Sequence, residues 1–275
     1  MKITVGIPTY NPGDLLESQL RALLPQLQEG DEIIVLDDCS TENIAGNLLA
    51  RFSDSKQLRI IRNECNSGIA FARNRIACEA KNDYLAFCDS DDIVSSNWLD
   101  EMRCALGKHS YVGGALCIDE INSPYVQRTL KESPTARGLP KWITGERYAV
   151  GCNIGVSKQL MQAAGGFDEN LKGHEDVDFG LRLSRMGYPA YFAEYAVIHY
   201  RLRPTVKAVF KQNFNYGKAA ASLTKMDYRR SPDSYNRSSE VISSGKRRGI
   251  KFFLGLKHPM RLSRLLGLKI GARIH

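Results

Sequence analysis

Three carboxylates fall within four residues at Asp89-Ser90-Asp91-Asp92. Like charges at that spacing repel, and a fold tolerates them when something positive sits among them. A divalent cation held by hard oxygen ligands, with substrate phosphates completing its shell, meets that need. The competing reading is a solvated acidic turn. A second acidic pair, Asp37-Asp38, precedes Cys39-Ser40-Thr41. One of its carboxylates can cap the next helix, which leaves the other for work such as accepting from a base N–H. A third pair, Glu175-Asp176, opens a near-helical pattern through Val177, Leu181 and Met186. In a first helical turn, acids complement the helix dipole.

The surrounding residues say what must position these groups. Tyr84 to Cys88 is an unbroken apolar run and predicts a buried strand that ends where the carboxylates begin. Lys2 to Pro8, Glu32 to Leu36 and Leu58 to Arg62 predict three further strands. Between them lie a leucine stripe from Leu15 to Leu27, a helix over roughly 42–52 capped by Ser40 or Thr41, and a helix from Ile69 to about Ala80. This alternation predicts an α/β fold, a mostly parallel Rossmann-like sheet flanked by helices. Ligands of such sheets bind outside the carboxyl ends of the strands, so Thr9 to Asn11, Asp37-Asp38 and Asp89 to Asp92 share one edge. No Gly-x-Gly-x-x-Gly and no Gly-Lys-Ser/Thr loop follows the first strand, which disfavours dinucleotide-binding and P-loop folds. Further on, 97–106 reads as a helix, Tyr111 to Ile118 and Gly151 to Ser157 as strands, and Ala196 to Arg201 as a last strand containing His199. Residues 122–147 lack a clear period and are either an acceptor-side loop or a surface excursion.

Pro8-Thr9-Tyr10-Asn11, Asp37-Asp38-Cys39-Ser40-Thr41, Asn66-Ser67-Gly68 through Arg73-Asn74, and Asp89-Ser90-Asp91-Asp92 together resemble the successive motifs of family 2 glycosyltransferases. The resemblance spans about residues 1–200 and implies a GT-A fold and an inverting, nucleotide-sugar-dependent enzyme. It implies that Thr9, Tyr10 and Asp38 hold the nucleoside, that Arg73 lies near the nucleotide, and that Asp89 and Asp91 hold Mn2+ or Mg2+ on the donor diphosphate. Gly173-His174-Glu175-Asp176-Val177-Asp178 resembles the family's Glu-Asp motif. By that likeness Asp176 is the base that takes the acceptor proton and Glu175 orients acceptor or base. His199 matches a histidine that joins the metal shell in many relatives, a set that suits Mn2+ somewhat better than Mg2+. The resemblance assigns nothing to Asp92. A sugar-1-phosphate nucleotidyltransferase would also join an α/β sheet to an acidic metal site, but it calls for a glycine-rich basic loop after the first strand. A nucleotide-sugar-binding scaffold without turnover is the remaining alternative.

Composition bounds the rest. At 43% hydrophobic, the 275 residues can bury a large core. The seven cysteines are odd in number and scattered, which predicts reduced thiols. Met1 to Ile7 runs straight into a strand pattern, which predicts no signal peptide, and no apolar run approaches the ~20 residues of a membrane-spanning helix. The net charge of +8 divides unevenly. Residues 1–200 carry 20 Lys+Arg against 27 Asp+Glu (−7), and 201–275 carry 18 against 3 (+15). We therefore expect a catalytic domain over 1–204 and a basic, partly helical extension over 205–275. Thr224 to Gly249 reads as a polar linker. In 246–275, nine Lys/Arg interleave with apolar residues, which predicts peripheral contact with an anionic membrane. Apolar residues are too dense there for a nucleic-acid-tracking tail. The expected partners are a nucleotide-sugar donor and a glycan or lipid-linked acceptor, at the cytoplasmic face of the cell membrane.

Overall fold

The structure is a computed structural model that describes residues 1–52, 54–128 and 132–230. Its first half runs β1 (Ile3–Thr9), α1 (Leu15–Leu23), β2 (Glu32–Asp37), α2 (Ile44–Arg51), β3 (Leu58–Arg62), α3 (Ile69–Glu79) and β4 (Tyr84–Cys88). The second half adds β5 (Ile93–Val94), α4 (Trp98–Leu106), β6 (Tyr111–Cys117), α5 (Pro124–Gln127), β7 (Asn153–Ser157), α6 (Lys158–Ala163), α7 (Glu175–Arg185), β8 (Tyr191–His199) and α8 (Val206–Arg230). The eight strands form one sheet in the order β3-β2-β1-β4-β7-β6-β8-β5. β3, β2, β1 and β4 are mutually parallel, and β6 pairs parallel with β8. β7 lies antiparallel between β4 and β6, so six strands end on one edge, where β7 begins.

The central strands are buried on both faces, as their unbroken apolar runs require. In β2, Ile33 and Val35 pack with α1, α2 and α4, while Ile34 and Leu36 pack with α3, α6 and α7. β4 divides the same way, with Ala86 and Cys88 on the first face and Leu85 and Phe87 on the second. α8 lies on the body: Ala220 and Leu223 pack against Trp142, Val177 and Leu181, and Arg185 Nη1 binds Asp227 Oδ1 at 2.5 Å.

Some local expectations need correction. Asn43, not Ser40 or Thr41, caps α2, accepting from Gly46 N–H at 3.0 Å. Ser40 Oγ instead accepts from Asn11 N–H, and Thr41 donates to Asn11 Oδ1, so both residues tie the β2 turn to the β1 turn. β8 starts five residues before Ala196, because exposed Tyr191, Glu194 and Tyr195 hide its apolar pattern. α8 continues through Thr224 to Arg230, since Arg230 pairs with Asp178 at 2.7 Å and Asp227 with Arg185. The rest of the expected linker and the basic segment 246–275 lie outside the described residues.

Candidate active site

The turns after β1, β2 and β4 meet at an open cleft of about 380 Å³, lined by Thr9, Tyr10, Asp38, Asp89, Asp91 and Arg203 among others. Parallel pairing of β2, β1 and β4 makes them neighbours, as the alternation in the sequence requires. At one end Tyr10 is exposed and Thr9 is buried, with its hydroxyl in no hydrogen bond among the described residues. Asp38 is committed to its surroundings: Oδ1 accepts from Asn63 Nδ2 at 2.6 Å and Ser67 N–H at 2.9 Å, and Oδ2 from Gly68 N–H at 2.8 Å. It therefore fixes the loop that leads into α3. Asp37 turns away, accepting from Ser40 N–H and pairing with Arg62.

Arg73, expected beside the nucleotide, is 1% exposed and is not among the cleft-lining residues. It reaches the cleft through its partners. Nη1 donates to Glu175 Oε1 at 2.8 Å, and Nη2 donates to Asp89 Oδ1 at 3.2 Å and to Gly151 O at 2.9 Å. The guanidinium also lies over the Phe167 ring, 5.4 Å from its centroid. Burial pulls the Arg73 pKa down, but the charges of Asp89, Glu175 and Asp176 outweigh it and raise the pKa above its ordinary value. A fully buried arginine survives because charged acceptors surround it. Gly151 makes this possible: a Cβ there would stand 2.9 Å from Nη2.

Gly151 has a second task. Its N–H donates to Asp176 Oδ2 at 2.8 Å, and Val177 N–H donates to Oδ1 at 2.8 Å. Asp176 thus sits in the first turn of α7, held by two amides. His174 enters that helix in the left-handed region, at φ 62°. Burial pushes the Asp176 carboxyl above its ordinary value, while Arg73 and the two amides pull it back. Glu175, next to it, is buried and spends its charge on Arg73. Desolvation, then the neighbouring Asp176, raises its pKa. Asp178 braces the far side, receiving Arg182 Nε at 2.8 Å.

Asp89 and Asp91 each keep about a quarter of their side-chain surface open to the cleft. These hard, anionic, accessible oxygens fit a divalent cation. Three groups able to ligate a metal lie within 4.8 Å of one another among the described residues: Asp89, Asp92 and Cys152, with Asp92 and Cys152 buried. His199 ends β8, opposite Ile93 and Cys117, and is not part of that group. Asp92 is buried, with Oδ1 accepting from Arg201 N–H at 2.7 Å.

Sequence reasoning missed three contributors. Gln19 donates to Asp89 O at 3.2 Å and accepts from Val94 N–H at 2.9 Å, so α1 holds the acidic turn from below. Its place on the inner stripe of α1, between Leu16 and Leu20, is the signal that would have found it. Gly151 and Arg203 carried none, because their partners are distant in the chain.

A parallel half-sheet with an open cleft at its carboxyl edge, joined by an antiparallel strand, brings two acidic centres to one edge, the architecture of the GT-A fold. The profile described as "Glycosyl transferase family 2" matches residues 4–164, and the chain belongs to that family. An uncharacterized glycosyltransferase of Haemophilus influenzae is 26% identical over 185 residues, 66% of this chain and 61% of the relative. The chain thus spans less than two thirds of that relative. TuaG of Bacillus subtilis, named for teichuronic acid biosynthesis, is 28% identical over 214 residues (73% of this chain, 79% of the relative). The UDP-Glc:alpha-D-GlcNAc-diphosphoundecaprenol beta-1,3-glucosyltransferase WfgD of Escherichia coli is 34% identical over 98 residues (36% and 38%). Among solved structures, the mannosyltransferase PcManGT from Pyrobaculum calidifontis, in complex with GDP-Man and Mn2+, has a TM-score of 0.67 at 16% identity (99% and 86% covered). TarS 1-349 of S. aureus in complex with UDP has a TM-score of 0.58 at 20% identity (81% and 65%). At these identities the structures speak for the fold.

Proposed function

We propose that the chain is an inverting glycosyltransferase that moves a sugar from a nucleotide-diphosphate donor, UDP-sugar favoured, to a hydroxyl of a glycan or lipid-linked acceptor in bacterial surface polysaccharide or glycolipid synthesis. The observation that carries the reading is the pairing of two acidic centres through one cation. Asp89, open to the cleft, and Glu175, beside Asp176, are bound to opposite nitrogens of Arg73. Direct displacement with inversion needs one base on the acceptor and a counter-charge for the departing diphosphate. The two centres divide those tasks. TuaG and WfgD, by their names, act in bacterial glycan synthesis, and WfgD on a lipid-linked acceptor.

Asp176 takes the proton of the acceptor hydroxyl. Its two amide donors fix the carboxylate plane without using all of its lone pairs, and its raised pKa makes it a stronger base than an exposed aspartate. Thr9, Tyr10 and Asp38 shape the nucleoside end. Asp89 and Asp91, with His199 in the family pattern, would hold Mn2+ or Mg2+. A bound cation of that kind supplies counter-charge to the leaving diphosphate. Arg73 offsets part of the burial that raises the Asp89 and Glu175 carboxyls. The catalytic unit is 1–204. Among the described residues no helix is long and apolar enough to cross a membrane, and the composition of 246–275 supports peripheral contact with an anionic surface.

Thermal shift and calorimetry against UDP-, GDP- and dTDP-sugars with Mn2+, followed by a transfer assay with sugar-lipid acceptors, tests the proposal. Saturable binding of one nucleotide sugar and formation of a glycosidic bond are expected. A protein that binds none of them contradicts it.

A further inference from the structure

The connector from β8 to α8, residues 200–205, brings Arg203 to the lining of the donor cleft, and polar groups fix the path of its first three residues. Tyr200 N–H donates to Cys117 O at 2.7 Å, and Tyr200 O accepts from Asn122 Nδ2 at 2.7 Å. Arg201 N–H donates to Asp92 Oδ1 at 2.7 Å, and Leu202 N–H to Asn122 Oδ1 at 2.8 Å. Gln127 Nε2 in turn donates to the carbonyls of Asp119 and Asn122, both at 2.9 Å, bracing the turn that bears Asn122. Asp92 is 1% exposed, and burying a carboxylate is costly unless its hydrogen bonds return something.

The connector delivers two guanidinium groups to the acidic turn. Arg201 is partly buried and spends Nε on Asp91 O at 2.7 Å. Arg203 lines the cleft, keeps 48% of its side-chain surface exposed and stands 3.2 Å from Asp91 Oδ2. An ion pair that exposed is weak, so the guanidinium is available to a better partner. Its planar fork matches the oxygens of a phosphate. A backbone fixed in advance lowers the ordering cost of that contact.

Resting on the donor reading above, we propose that Asp92 and Asn122 are positioning residues: they pin the β8–α8 connector so that Arg203 stands in the cleft to take the diphosphate of the donor. This gives the last carboxylate of Asp89-Ser90-Asp91-Asp92 a task distinct from metal binding, and gives the segment after β6 a place in the donor site.

Calorimetry on the full chain tests this, with UDP against uridine and GDP against guanosine, each in Mn2+ and in EDTA so that the metal's contribution separates. Arg203→Ala is expected to weaken diphosphate binding about tenfold in both media and leave nucleoside binding unchanged. Asp92→Ala and Asn122→Ala are expected to show the same selective loss, and Asp92→Asn, which keeps an oxygen for Arg201 N–H, to restore it. Acting through Arg203, the Asp92→Ala/Arg203→Ala double variant binds UDP no worse than Arg203→Ala alone. If Asp92→Ala does not fold, Asn122→Ala carries the comparison. Additive losses, or wild-type diphosphate affinity in the folded Asp92→Ala or Asn122→Ala variant, overturn the positioning role. A wild-type chain that binds neither UDP nor GDP overturns the donor reading, and this proposal with it.

Discussion

Arg73 and Asp176 grip the two peptide groups that flank one residue: Arg73 Nη2 donates to Gly151 O at 2.9 Å, and Gly151 N–H donates to Asp176 Oδ2 at 2.8 Å. The residue that pairs with Asp89 therefore also anchors the residue whose N–H holds the proposed base. Donor side and acceptor side share a mechanical link as well as a charge.

Asp176→Asn keeps the shape and one of the two amide contacts, its Nδ2 facing the other N–H, and removes the proton acceptor. Glycosyl transfer should fall by about 10²–10⁴. Nucleotide affinity measured by calorimetry in Mn2+ should stay within twofold of wild type. An active Asp176→Asn enzyme removes the base assignment.

Arg73→Met would leave Glu175 and Asp89 without their central cation, Glu175 in a buried position. Breaking a buried pair by deleting one partner costs about 3–5 kcal/mol, and solvent at Asp89 argues for the lower end. Denaturant unfolding should show a loss of that size. Arg73→Lys should recover less than half of it, because one ammonium cannot reproduce a fork that meets three acceptors and stacks on Phe167. A loss under about 1 kcal/mol would contradict the hub.

Gly151→Ala places a methyl 2.9 Å from Nη2 and 3.1 Å from Nη1 of Arg73. The end of an arginine normally yields, but here three partners hold it. The expected cost is about 1–3 kcal/mol. The rate of transfer should fall more than donor affinity, because the N–H of the same residue holds Asp176. Equal losses in both would place the damage elsewhere.

Acidity should act in opposite directions on activity and stability. The Asp176 carboxyl has a pKa above 3.8, chiefly through desolvation, and must be ionised to accept a proton. The rate should therefore drop as pH falls through its folded value. In the window between the ordinary and the folded values of Asp176 and Glu175, the folded state binds more protons than the unfolded state. Stability should rise there on acidification. Glu32, whose pKa is lowered below 4.5 by the Lys81 amide and Arg59 against desolvation, acts the other way and loses its contribution as pH falls below 4.5 through its folded value. A rate profile set beside urea unfolding between pH 4 and 7 checks the sign, and an acid limb at the ordinary aspartate value would refute the desolvation argument.

Asp91→Ala removes an accessible cleft carboxylate while leaving Arg73 and its partners in place. Nucleotide diphosphate affinity in Mn2+ should fall about tenfold or more, with little change in EDTA. Equal affinities in the two media would remove the metal role of Asp91.

The order of residues alone determined the first half of the sheet. β3 and β4 have the predicted limits, because apolar runs of strand length between turn formers leave few alternatives, and parallel alternation then obliges Thr9, Asp38 and Asp89 to share an edge. Local periodicity carried no information about partners far along the chain. The resemblance placed Arg73 near the nucleotide but gave neither its burial nor its partners, because its acceptors lie 16, 78 and 102 residues away. Only the antiparallel insertion of β7 between β4 and β6 brings Gly151 to Asp89. Asp92 and Arg201 meet across 109 residues for a similar reason: β8 runs parallel to β6 and ends beside the acidic turn. Burial set the partners of Arg73 and Asp92, and burial is a property of packing that no single segment contains.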